Sequence, residues 1–176
     1  GSVITLTILT ELTGLPGVIA NGTNRVGVLM NSLGALAGFA GKRKIDYTHH
    51  LRYILPVVLG AVAGIFVATK VTSDQFMWVF KGLMIVMLLV ILKNPERWLI
   101  LHEGKSKMPK WLEWPAMLVL GFYGGFIQMG MGVFYLAVLV LIARLPMMES
   151  NAIKAFAVAA FTLLAVIIFS FSGLVV

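Results

Sequence analysis

Apolar positions along this chain fall into long unbroken runs, without the alternation of a half-buried strand. Residues 26–41, 53–69, 76–92, 115–131 and 152–176 approach the ~20 residues a helix needs to cross the roughly 30 Å hydrocarbon layer. Two further runs, 3–12 and 133–143, are too short to span, and each leads into a Leu-Pro step, Leu15-Pro16 and Leu145-Pro146. Every backbone polar group must be satisfied internally in lipid, and the runs lack the dyad repeat of a barrel strand, so helices are the remaining solution. The pattern predicts an all-α polytopic membrane protein with short broken helices near the midplane.

Basic residues then set an orientation. Residues 42–52 hold Lys42, Arg43, Lys44 and Arg52, and residues 93–110 hold Lys93, Arg97, Lys105, Lys107 and Lys110. Short loops rich in Lys and Arg stay in the cytoplasm. Two spans separate these loops, so both assignments agree, and Trp98, Trp111 and Trp114 mark the cytoplasmic interface. The composition fits: 60% of residues are apolar and 12% charged, with a mean hydropathy of +0.97, outside the range of soluble domains. The net charge of +7 belongs to the loops, which argues against nucleic acid as a partner. Cysteine is absent, excluding disulfides and thiolate chemistry. The N-terminal run shows neither the basic flank nor the cleavage pattern of a secretory signal.

The two short runs introduce a repeat. Pro16 and Pro146 are 130 residues apart, as are Asn21 and Asn151, and in the same register Asn24 meets Lys154 and Ser32 meets Thr162. The span count orients the copies oppositely. An inverted repeat with paired, Gly/Pro-interrupted short helices points to a secondary transporter whose site lies near the midplane. The chain is expected to be one transmembrane domain over 1–176, with a first repeat and its following helices at 1–104 and a second, incomplete repeat at 105–176. Three small-residue pairs, Gly34/Gly38, Gly60/Gly64 and Gly121/Gly125, predict close helix packing.

Particular residues add a family resemblance. Gly1 to Leu6, Leu15-Pro16 and Ala20-Asn21-Gly22-Thr23-Asn24-Arg25 resemble the first-half signature of the TauE/SafE sulfite exporter family. The second half repeats it, with Gly121-Phe122-Tyr123-Gly124-Gly125 through Gly132, then Leu145-Pro146 and Asn151 to Lys154. Members usually carry another helix before the first motif and more membrane sequence after Ser172-Gly173, so the chain resembles a fragment or a short member. The resemblance implies transport of small sulfur-containing anions such as sulfite or organosulfonates.

Candidate ligands for such an anion follow from helical spacing. Asn21, Asn24, Arg25, Asn31 and Ser32 share one broad face, and Asn151, Lys154 and Thr162 share the equivalent face in the second half. Thr23 lies within the first motif, and Gln128 sits in the glycine-rich stretch, where unwound backbone can line a cavity. A cation at bilayer depth costs roughly 2.5 to 3.5 kcal/mol, so Arg25 and Lys154 are expected to face a wet site and bind the anion jointly. The competing reading has them reach headgroups while the Asn side chains join helices. Glu11 is the candidate for a coupling proton, whereas Glu149, His49 and His50 are expected to be solvated.

Catalytic and metal signatures are missing: the histidines lack ligand spacing, and no nucleophile elbow or phosphate cradle occurs. No enzyme activity, cofactor or metal is expected. The reading is a secondary carrier of small sulfur anions working by alternating access, with a passive anion channel or receptor-like module as the alternative. Its expected setting is a multi-pass position in the cell membrane, the inner membrane for a bacterium. The expected partners are the anionic substrate and the bilayer, with a homodimer left open.

Overall fold

The computed structural model describes residues 2–40, 47–93 and 109–175. Lys42, Arg43, Lys44, Trp98 and the other basic residues of 94–108 lie outside the described residues. Among those described, every regular element is helical. In chain order they are α1 (Ser2–Thr7), continued by a π-helical turn at Ile8–Leu12, and α2 (Gly17–Ala40). A 3₁₀ turn at Thr48–His50 leads into α3 (Leu51–Ala68), followed by α4 (Ser73–Lys93) and α5 (Lys110–Phe126). Finally come α6 (Met131–Ala137), with its own π turn at Val138–Ile142, and α7 (Met147–Phe171). The stretches Thr48–Ala68 and Met147–Phe171 are long and apolar enough to cross a membrane.

The repeat appears in the backbone itself. The π turns at 8–12 and 138–142 differ by the same 130 residues, and so do the starts of α2 and α7 at Gly17 and Met147. Hydrogen bonds repeat as well: Leu15 N–H donates to the Leu9 carbonyl and Leu145 N–H to that of Leu139, while Ala20 and Ser150 N–H donate to Pro16 and Pro146. Each break contains one left-handed residue, Gly14 at φ +67° and Arg144 at φ +57°. Glycine adopts this conformation freely and arginine does so at a cost.

Both long helices begin before the apolar runs that predict them. Asn21, Asn24, Arg25 and Ser150 are buried, so polar residues here face protein, and hydropathy alone truncates the helix. Conversely, α5 stops at Phe126 and the chain turns through Gln128 (φ +66°) and Gly130 (φ +69°), where the apolar run suggests continuation to Met131.

Two buried clusters hold the helices together. One gathers Tyr53, Val57, Met117, Tyr135 and Phe161 from α3, α5, α6 and α7. The other joins Leu6, Ile65, Phe76, Ile127 and Phe169 near the opposite ends. Between them α3 and α5 meet backbone to backbone. A Cβ on Gly60 or Gly64 would strike the carbonyls of Leu118 or Phe122, and one on Gly121 or Gly125 those of Val57 or Ala61. The predicted glycine pairs therefore interlock with each other. Gly34 and Gly38 are different: both are exposed, and a Cβ on either meets nothing within 4 Å among the described residues.

Candidate functional site

The break between α5 and α6 makes room for a cavity of about 570 Å³ walled by α2, α6 with its π turn, and α7. Its walls are mostly apolar, with Met131, Leu136 and Val140 among them. Polar groups converge from three sides: Asn31 and Ser32 from α2, Gln128 from the break, and Lys154 from α7. Gly132 faces Lys154 so closely that a Cβ there would lie 3.7 Å from the lysine Cδ. Among the described residues lining this space, Lys154 is the only charged one.

Local hydrogen bonds orient these groups. Lys154 Nζ donates to Asn151 Oδ1 at 2.8 Å, and Asn151 Nδ2 donates to the Met147 carbonyl at 3.0 Å. Asn151 thus steers the ammonium from the start of the second turn of α7, one turn away on the same face. Gln128 Nε2 donates to Thr162 Oγ1 at 2.5 Å, while its Oε1 is buried with no partner among the described residues. A half-buried ammonium with further donor capacity, facing an apolar space to which no carboxylate is contributed by the described residues, suits a small anion.

Arg25 has a different setting. It is fully buried, does not line the cavity, and donates through one guanidinium nitrogen to the carbonyls of Gly125 and Phe126, the latter at 3.2 Å. Asn21 Nδ2 donates to the same Phe126 carbonyl at 3.0 Å, and the Phe169 ring centroid lies 4.9 Å from the guanidinium carbon. These are the last carbonyls of α5, which lack helical partners and carry the negative end of the helix dipole. Arg25 and Asn21 form a clasp on that terminus, and Nε and Nη1 of Arg25 find no partner among the described residues.

The structure therefore brings Asn151, Lys154, Gln128 and Thr162 together with Asn31 and Ser32, and sets Arg25 and Asn21 elsewhere. Asn24 is buried and Thr23 half-buried, both outside the cavity lining. Glu11 is exposed on the first π turn. Expectations of solvation at His50 and Glu149 need correction. His50 is buried and its Nε2 lies 2.5 Å from Glu149 Oε1, whose side chain is one-third exposed. The 3₁₀ turn folds His50 against the first turn of α7, a proximity that residues 99 apart in sequence do not announce. His49 is exposed as expected. Among the described residues, no three His, Asp or Glu gather as a metal site.

Comparison with known proteins gives one result. The family model described as Sulfite exporter TauE/SafE matches residues 1–176. Neither the search of curated proteins nor that of solved structures yields a match.

Proposed function

The chain belongs to the TauE/SafE sulfite exporter family of membrane transporters, and from that premise we propose that it is a secondary carrier that binds a small sulfur oxyanion or organosulfonate at Lys154. The observation that carries this reading is the Lys154 ammonium, the one charged group among the described residues at the wall of a 570 Å³ cavity. Lys154 would supply the charge, Gln128 and Ser32 donors to the anion oxygens, and Asn151 the fixed orientation of the ammonium. In a mostly apolar space such contacts are screened less than in water. Arg25 and Asn21 are assigned to the architecture, Asn24 and Thr23 to the packing around it.

Alternating access by the two repeats suits the paired broken helices. A channel would need a continuous polar passage, and the apolar walls of this cavity favour a binding compartment. Placement in the inner membrane of a bacterial cell is part of the same proposal. Reconstituted vesicles test it: saturable sulfite or methanesulfonate flux with counterflow is expected. Linear, voltage-driven flux without counterflow would replace the carrier with a channel.

A further inference from the structure

At the end of the bundle that the basic loops mark as cytoplasmic, a titratable pair lies outside the anion cavity. His50, on the turn before α3, is buried against Glu149 on the first turn of α7, and the 2.5 Å contact joins the two helices. The same two turns of α7 carry Asn151 and Lys154. We propose that His50 and Glu149 form a proton-binding site linked to the anion cavity, so that a proton on His50 and an anion at Lys154 favour one another. The inference rests on the carrier reading.

The linkage follows from charge. With His50 neutral, the Glu149 carboxylate has no cationic partner among the described residues; it lies five residues from Lys154, about 7.5 Å along the helix axis, and opposes an anion there. A proton on the imidazole makes an imidazolium–carboxylate pair that cancels this field. Burial of the histidine limits screening by water, and thermodynamic reciprocity makes the bound anion favour the proton equally.

The surrounding groups leave His50 as the switch. The His49 ring meets it edge-on at 5.5 Å, and the Tyr53 ring stacks at 6.5 Å with the Arg52 guanidinium 4.6 Å above that tyrosine. From α5 comes the buried Glu113 and from α6 Tyr135, whose hydroxyl donates to the Tyr53 carbonyl at 3.0 Å. Tyr47 stacks on Phe156 of α7 at 4.8 Å, and Arg144 precedes that helix. Imidazole is the side chain whose ordinary range falls between pH 5 and 8, and His49, the other one at this end among the described residues, is exposed.

Methanesulfonate is the probe, because it stays ionised throughout this range and any linked proton belongs to the protein. Its affinity for the purified protein should rise about fivefold or more from pH 8 to pH 5.5, and its addition in weak buffer should cause proton uptake. His50→Gln should hold the affinity near the alkaline value at both pH values, Glu149→Gln should raise it at pH 8, and His49→Gln should keep the wild-type response. Equal wild-type affinity at both pH values, or an undiminished response in His50→Gln, overturns the linkage. Should His50→Gln fail to fold, absence of proton uptake by the wild type overturns it as well. A wild type that binds methanesulfonate and sulfite at neither pH fails at the anion site, which removes the carrier reading itself.

Discussion

Arg25→Gln and Lys154→Gln should fail in opposite ways, although the sequence pairs these residues as the two cations of one site. Arg25 donates to two terminal carbonyls of α5 and lies against the Phe169 ring. Charge-assisted hydrogen bonds contribute about 1.5 to 3 kcal/mol each, and a desolvated cation–π contact about 2. Against this stands the cost of burying a guanidinium with two nitrogens that lack a partner among the described residues, several kcal/mol for a buried ion. A net loss of about 3 kcal/mol is expected for Arg25→Gln, because the carbonyls it leaves have few alternative donors. Lys154 has one amide partner and faces the cavity, so its replacement should change stability by less than about 1 kcal/mol. Its effect should fall on binding, roughly 1.5 to 3 kcal/mol or about ten- to a hundredfold in Kd. The assay is thermal unfolding of each variant in detergent, with calorimetric titration of methanesulfonate into folded protein. An Arg25→Gln protein as stable as wild type yet unable to bind would put the guanidinium in the anion site and refute this division.

The glycine contacts give a second contrast: Gly125→Ala should destabilise by about 1 to 3 kcal/mol through collision with the Ala61 backbone. Gly34→Ala, on an open face, should stabilise by up to about 1 kcal/mol; equal unfolding midpoints would contradict the α3–α5 interlock. Arg144→Gly should relieve a left-handed arginine and stabilise by about 1 kcal/mol, while Gly14→Ala should cost a similar amount; both are read by the same unfolding assay. Cysteines at exposed His49 and Trp111 should be labelled from the same side of sealed vesicles and one at exposed Thr72 from the other. Opposite-side labelling of positions 49 and 111 would break the inverted arrangement.

How far the sequence could be read depended on the range of each interaction. The offset of 130 between Pro16 and Pro146 gave the positions of both breaks, since proline and the short apolar runs act locally. The same offset pairs position 14 with 144 but does not reveal their shared left-handed conformation, because a left-handed arginine has no signature in its residue type. Helix spacing placed Asn151, Lys154 and Thr162 on one face, and hydrogen bonds tie Asn151 to Lys154 and Thr162 to Gln128, whereas the separate setting of Arg25 required knowing which end of α5 lies beside α2. The His50–Glu149 contact depends on a turn that is not periodic, so neither hydropathy nor spacing could reveal it.

The clasp and the cavity occupy corresponding positions of the repeat: Asn21 answers to Asn151, and Arg25 stands next to the counterpart of Lys154. A duplicated architecture whose copies share a backbone but divide their duties can vary in one copy while the other stays fixed. On the proposed assignment, changes at 21 and 25 would be felt as lost protein in the membrane, and changes at 151 and 154 as altered preference among anions. Libraries aimed at new substrates therefore belong on α7 and the turn at Gln128, scored per folded molecule. Selection by growth alone would mistake collapse of the clasp for a change in taste.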